Sequence, residues 1–383
     1  MTDYLNIESF LNPVNIREIA GDDTYNADQI GSKIDMYGEN LPDLDAADII
    51  FIGCGEQRGS GILGPESDAP DVIRKHFYQL YFWHSDINLA DLGNIRQGAS
   101  LNDTIAALKT VIDELINIGK TVIILGNSHD VTLAQYEAYR SQEQLIEATI
   151  VDAKIDLDME SPFIADHFLM QMFTGDPNFL KHYSHVGFQS YYVHPGMLQT
   201  LDKLKFDFYR VGQVKENIDE VEPVIRSSNL FSFDINAIAN AYAPAVKLSP
   251  NGFTGEEACV LMQYAGMSAG VNTIGIYGYN PQQDAEELTA KQISHMLWYA
   301  IDGHHRKRNE AKLSDKDSFN EFQVIFSEVE TTFIQSKKTG RWWMQMPDKR
   351  YIPCSYSDYA MAGRNEIPSR WFRAQQRDTL PTG

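Results

Sequence analysis

The sequence predicts an α/β protein, a three-layer α/β/α sandwich with a mostly parallel central sheet. Three observations carry this. Apolar runs of strand length alternate with helix-length stretches from about residue 47 to 308, the pattern of a sheet covered on both faces. Several of those runs are continuously apolar, as parallel strands buried on both faces are. Charged residues gather where the runs stop, and ligands in such sheets bind beyond the carboxyl ends of the strands.

Residues 1–46 are polar, with few periodic apolar positions, and are expected to form an arm or edge elements. The opening M-T-D-Y-L-N-I-E-S-F has no basic region followed by an apolar run, so it does not read as a secretory signal. A strand at 49–52 stops at Gly53, and the loop G-C-G-E-Q-R-G-S-G-I-L-G-P follows. That loop lacks the Lys-Ser/Thr ending and the glycine spacing of a nucleotide cradle. A helix at 70–83 and a strand at 88–92 come next, then a helix at 101–115 with Asn102 as its cap and Gly119 as its stop. Strands are predicted at 121–125, 148–151, 185–188, 208–211, 230–235 and 273–277. Helices are predicted from near Val131 and at 166–173, 195–204, 220–226, 254–265 and 284–302.

The character changes after Arg308. Residues 312–318 are polar and linker-like, and 330–346 reads as two strands joined at K-K-T-G, a hairpin carrying Trp342 and Trp343. Disordered segments are poor in aromatics, so this aromatic-rich tail is expected to be ordered, with both tryptophans buried against the main domain or a neighbouring subunit. The expected organisation is therefore an arm (1–46), an α/β domain (47–308) and a C-terminal extension (309–383).

Net charge is −21 over 383 residues, which argues against nucleic acid and anionic membranes as partners. The apolar runs are far too short to cross a bilayer. Cys54, Cys259 and Cys354 are odd in number and widely spaced, which suits reduced thiols in a cytoplasm. No C-x-x-C occurs, so a thiolate zinc site is not expected.

The most informative stretch is 149–158, T-I-V-D-A-K-I-D-L-D. Side chains alternate along a strand, so Asp152, Lys154 and Asp156 would share one side at the exit of a buried strand. Groups of this kind are costly to desolvate unless they meet each other, a metal or a ligand. The strand ends at 126–130 and 232–236 add His129, Asp234 and Asn236. One imidazole with three carboxylates suits Mn²⁺ or a similar hard divalent ion.

These stretches resemble the metal motifs of the ureohydrolases, the family of arginases, agmatinases and formimidoylglutamases. The family's usual G-G-D-H-S, D-A-H-x-D and S-x-D-x-D stand here as G-N-S-H-D (126–130), D-A-K-I-D (152–156) and S-F-D-I-N (232–236). G-S-G-I-L-G-P-E-S-D-A-P-D-V-I-R (59–74), D-L-G-N-I (91–95) and N-G-F-T-G-E-E-A (251–258) also have counterparts. The resemblance covers roughly 47–305, in the right order, and is nearest to divergent formimidoylglutamases. It implies an arginase-like fold, a homo-oligomer and two Mn²⁺ ions sharing a hydroxide that attacks a guanidinium or formimidoyl carbon.

By this resemblance His129, Asp152, Asp156 and Asp234 hold one ion. Lys154 and Asn236 stand where the second ion's own ligands would be, and an ammonium has no lone pair to offer. Exchanging an imidazole for lysine and an aspartate for asparagine changes the charge by that of one divalent ion. Lys154 is therefore expected to pair with Asp152, Asp234 or both in the second metal's place, and its removal to unpair buried carboxylates. Ser128 departs from a family aspartate. Asp156 is also a candidate catalytic residue, with Glu257 matching an acid that can pair with a guanidinium and His167 matching a proton-shuttling histidine.

The expected cofactor is at most one divalent metal, Mn²⁺ foremost, or none. The expected function is a weakly active or non-catalytic ureohydrolase-fold protein with a scaffold or regulatory role, with a protein partner on the C-terminal extension. The alternative is an active hydrolase cleaving a C–N bond of a small formimidoyl or guanidino ligand. Lys154 as a Schiff-base nucleophile is disfavoured, because neighbouring carboxylates hold its proton on.

Overall fold

The structure is a computed structural model and describes residues 7–21 and 24–378. Positions 1–6, 22 and 23 of the expected arm, and 379–383 of the extension, lie outside the described residues.

The main sheet has ten strands: β1 (Leu11–Asn12), β2 (Asp35–Met36), β3 (Ile49–Cys54), β4 (Leu89–Ile95), β5 (Thr121–Gly126), β6 (Ile146–Val151), β7 (Leu180–Phe188), β8 (Asp207–Arg210), β9 (Leu230–Asp234) and β10 (Thr273–Tyr277). Their order is β1-β4-β3-β5-β10-β9-β6-β7-β8, with β2 also on β4. All pairings are parallel except β1 on β4. Strands β1 and β2, from the segment before residue 47, both pair with β4, and β1 ends the strand order.

Alternation along each strand sends side chains to two separate cores. Ile49 and Phe51 of β3, with Ile123 and Leu125 of β5, pack under helices on one face. Ile50 and Ile52, with Val122 and Ile124, pack on the other. In chain order the helices are α1 (Ile16–Ala20), α2 (Ala69–Phe77), α3 (Leu101–Asn117), α4 (Thr132–Ser141), α5 (Leu169–Thr174), α6 (Pro195–Lys203), α7 (Val211–Glu216), α8 (Glu222–Ser227), α9 (Gly255–Met267) and α10 (Leu288–Lys307). Helices α2, α9 and α10 cover the first face, and α3 and α4 the second.

Several boundaries differ from expectation: β7 starts at Leu180 rather than 185, α5 at Leu169 rather than 166, and α7 was not anticipated. Three more differ for local reasons. The cap of α3 is Ser100, two residues earlier than Asn102, because its hydroxyl and Asp103 form a reciprocal capping box. Helix α2 ends at Phe77, after which Tyr81 bridges to Gln29. Helix α10 starts at Leu288, where Asp284 accepts the Thr289 and Ala290 amides, and it runs through His304 and His305.

The extension is more than the expected hairpin. Strands β11 (Phe319–Phe326), β12 (Val329–Ser336), β13 (Trp342–Gln345) and β14 (Tyr351–Cys354) form an antiparallel sheet carrying helices α11 (Tyr356–Gly363) and α12 (Ser369–Asp378). The hairpin at K-K-T-G is the β12–β13 pair. Strand β11 is half exposed, so its apolar residues do not form the continuous run that marks the central strands. Phe326, Phe333, Trp342, Met344 and Trp371 give the extension its own core. It docks on the α/β domain: Arg226 of α8 donates to the Trp342 and Cys354 carbonyls, and Arg373 pairs with Asp207 of β8. Trp342 and Trp343 are buried, as expected. Among the described residues no helix is long and apolar enough to cross a membrane, and the three cysteines are buried and unpaired.

Candidate metal centre

The carboxyl ends of β5, β6 and β9 lie side by side in the sheet, and each delivers part of one cluster. His129 follows β5 on a short 3-10 turn, Asp152 and Asp156 follow β6, and Asp234 ends β9. All four are buried. His129 Nδ1 lies 2.9 Å from Asp156 Oδ2, 3.4 Å from Asp152 Oδ2 and 3.5 Å from Asp234 Oδ2. Ligand atoms of His129, Asp152 and Asp234 all fall within 4.8 Å of one another.

The donor set fits a divalent ion. His129 Nδ1 is buried and makes no aligned hydrogen bond, although three carboxylate oxygens face it. On the far side of the ring, Nε2 lies 3.1 Å from Ser232 Oγ, which is 2.8 Å from Thr132 Oγ1. With Nε2 donating along that chain, Nδ1 presents a lone pair to the carboxylates, an arrangement that calls for a cation between them. Phe168, itself buried, meets the ring edge-on at 4.9 Å.

The electrostatics agree with crowding of like charges. Burial and then repulsion from Asp156 push Asp152 up to about 6, and burial and then Asp152 push Asp234 up to about 6. Burial opposes a charge on His129, but the aspartates around it outweigh that and hold its proton well above the ordinary range.

Backbone geometry supports each ligand. Burial pushes His185 down to about 3, so its neutral ring donates through Nε2 to the Asp152 carbonyl at 3.0 Å and accepts from Tyr183 at Nδ1. Gly278 sits against Asp234 with φ +83°, and a Cβ there would come within 2.5 Å of Asp234 Oδ1. Only glycine fits that position.

Lys154 corrects the sequence expectation. Its ammonium pairs with Asp166 at 3.5 Å, not with Asp152 or Asp234, and its side chain is 41% exposed. What position 154 gives the cluster is its main-chain N–H, which donates to Asp152 Oδ1 at 3.3 Å. Asn236 does the same for Asp234, its N–H donating at 2.7 Å. The loop between Asp156 and α5 folds back and brings Asp166 beside the lysine, a tertiary event with no signal in strand phase. Asp166 also accepts from Ser161 Oγ.

Ser128 donates to Asp130, receives a hydrogen bond from Ser60 at 2.6 Å, and so ties the glycine-rich loop to the turn carrying His129. His167 is half-buried beyond the 3-10 turn Ile164–Asp166 and is not among the groups that converge. Glu257 caps its own helix by accepting from the Thr254 amide and pairs with Lys215 at 2.6 Å. The structure thus brings together His129, Asp152, Asp156 and Asp234, and leaves His167 and Glu257 outside the cluster. Sequence reasoning missed Ser232, Thr132, His185 and Gly278 as its supports. Ser232 was legible only as the first letter of the 232–236 stretch.

Fold and site together define a three-layer α/β/α protein with a carboxylate–imidazole centre on the carboxyl edge of its sheet. Residues 47–302 match the Arginase family model, and the chain belongs to that family. It is 24% identical over 289 residues to a formimidoylglutamase of Macrococcus caseolyticus, covering 71% of this chain and 89% of that protein. Among solved structures it resembles Trypanosoma cruzi formiminoglutamase with Mn²⁺ (TM-score 0.63, 17% identity, 70% of this chain and 99% of that one). It also resembles formimidoylglutamase from Bacillus subtilis (TM-score 0.64, 17% identity, 76% and 99%). These structural likenesses carry the fold.

Proposed function

We propose that this arginase-family chain binds at most one divalent ion, Mn²⁺ foremost, on His129, Asp152, Asp156 and Asp234, and that two-metal hydrolysis is lost or strongly weakened. One observation carries the reading. A single imidazole nitrogen and three carboxylate oxygens face one another, whereas positions 154 and 236 support the cluster through main-chain N–H groups and the Lys154 ammonium pairs with Asp166. An N–H donor steadies a carboxylate but cannot ligate a metal. When bound, one hard ion supplies a Lewis acid and a more acidic water.

The chain's own residues do the rest. Asp152 and Asp234 are oriented by those N–H bonds, and His129 by Ser232 and by the edge-on ring of Phe168. A scaffold or regulatory role in the cytoplasm, as a homo-oligomer, belongs to the same proposal.

A second reading is an active hydrolase of a formimidoyl or guanidino compound, in which His167 moves a proton and Glu257 pairs with the cationic end of the substrate. The withdrawal of Lys154 to Asp166 favours it, since the carboxylates then stay available to a metal. The engagement of Glu257 with Lys215 weighs against it. Metal content of protein purified without chelator, with turnover of formimidoylglutamate measured alongside, separates the two. Zero or one equivalent with little turnover is expected. Two equivalents with turnover would overturn the first reading.

A further inference from the structure

A cavity lies at the opposite edge of the sheet from the carboxylate cluster, where strands begin. It occupies about 1650 Å³ between the α/β domain and the extension, with Glu147 of β6, Lys181 of β7 and Asp207 of β8 in its wall. A six-residue strand spans about 20 Å, so this space is remote from the carboxylate cluster. Its lining carries nine lysines and arginines against five aspartates and glutamates, the reverse of a chain with net charge −21. Local charge therefore favours anions where the surface as a whole repels them.

Most of the basic groups are already paired: Arg370 with Asp358, Arg377 with Asp207, Arg341 with Glu222. Arg341 still leaves its Nε without a hydrogen bond, and the exposed Lys312 makes no ion pair among the described residues; two others are less fully matched than their burial calls for. Arg226 has a side chain only 6% exposed; its Nη2 donates to the Trp342 carbonyl and lies 3.2 Å from Glu222, but its Nε and Nη1 have no hydrogen-bond partner. Lys307 is half-buried and faces no carboxylate among the described residues; burial and then Arg308 pull its pKa down. Buried donors are normally satisfied, so these point to something that is supplied. Trp343, stacked 4.3 Å from the Arg226 guanidinium, and Leu180 and Met267 give the wall an apolar side.

We propose that this interdomain cavity binds a small organic oxyanion, a carboxylate or phosphate on a partly apolar body, with Lys307 and Arg226 holding the charged end and Trp343 the rest. A ligand there bridges β6, β7 and α8 of the main domain to β13 of the extension. It would therefore stabilise the docked arrangement.

The test uses the full chain at fixed ionic strength, titrated with inorganic phosphate, citrate and AMP while thermal unfolding and tryptophan emission are followed. At least one probe should bind with a Kd below about 1 mM and raise Tm in a saturable way. Citrate against phosphate tells carboxylate from phosphate, and AMP against phosphate tests the apolar side. Lys307→Gln should weaken binding about tenfold, the value of one charge-assisted hydrogen bond, with the unliganded Tm unchanged or higher because an unpaired buried charge is gone. Trp343→Phe should abolish the emission change and keep a thermal shift. His129→Ala should keep both. The proposal is overturned if no probe gives a saturable shift, if Lys307→Gln binds as wild type does, or if the emission change survives Trp343→Phe.

Discussion

Lys154→Ala separates two pictures of the centre by the size of its effect. If the ammonium stood in the second metal's place, neutralising Asp152 and Asp234, its removal would strand buried carboxylates at about 3–5 kcal/mol. The structure instead pairs it with Asp166 at 3.5 Å, the two side chains 41% and 31% exposed. At that distance in water-like surroundings the Coulomb attraction is about 1 kcal/mol. Ordering two side chains and screening by salt reduce it, so exposed pairs contribute about 0.2–1 kcal/mol. Asp166 keeps the hydrogen bond from Ser161 Oγ at 2.6 Å, and the main-chain N–H of residue 154 still reaches Asp152. Lys154→Ala should therefore cost less than about 1 kcal/mol. Urea unfolding of chelator-treated wild type and variant, compared at equal slope, measures this directly. A loss of 3 kcal/mol or more would refute the reasoning and return the lysine to the second metal's place.

Three further outcomes are expected. Gly278→Ala should destabilise by about 1–3 kcal/mol and lower metal content, because its φ of +83° and a Cβ 2.5 Å from Asp234 Oδ1 both oppose it; a stable variant with wild-type metal content would show that Asp234 is free to move. Burial would raise the Asp207 pKa, but His182, Arg377 and Arg373 outweigh it and hold it low; a depressed folded value means stability present above the unfolded pKa of about 3.9 and lost as pH falls through the folded one. Limited proteolysis near Leu313 should accordingly speed up at acid pH, and Asp207→Asn should show that faster cleavage already at neutral pH. Lys154→His with Asn236→Asp should raise metal from at most one to about two equivalents by elemental analysis, each single change doing much less because the ligands share one network. An unchanged content in a folded double variant would mean the strand ends no longer frame two metals.

Much of this was legible in the sequence because its signals are local. A continuous apolar run ending in Gly, Asp or His is written by a strand buried on both faces, and that located β3, β5, β6, β9 and β10 and the four side chains at their exits. Strand phase placed Asp152, Lys154 and Asp156 on one side, and two of the three do converge. Phase sets the direction in which a side chain leaves the backbone. It does not set where a flexible four-carbon chain ends, and the loop that carries Asp166 back to Lys154 is specified by packing.

The extension divides in the same way. Its aromatic density announced an ordered, docked segment, and K-K-T-G announced the turn between β12 and β13. Strand β11, half exposed, carries too weak a pattern to be read alone. The cavity beside Arg226 and Lys307 belongs wholly to tertiary structure: its lining comes from segments more than a hundred residues apart in sequence, and no local pattern records which charges end without a partner. Residue types and strand order by themselves determined the family fold and one imidazole–carboxylate centre. Only the folded chain decided which charges meet, because pairing depends on distances that side-chain reach and loop packing set together.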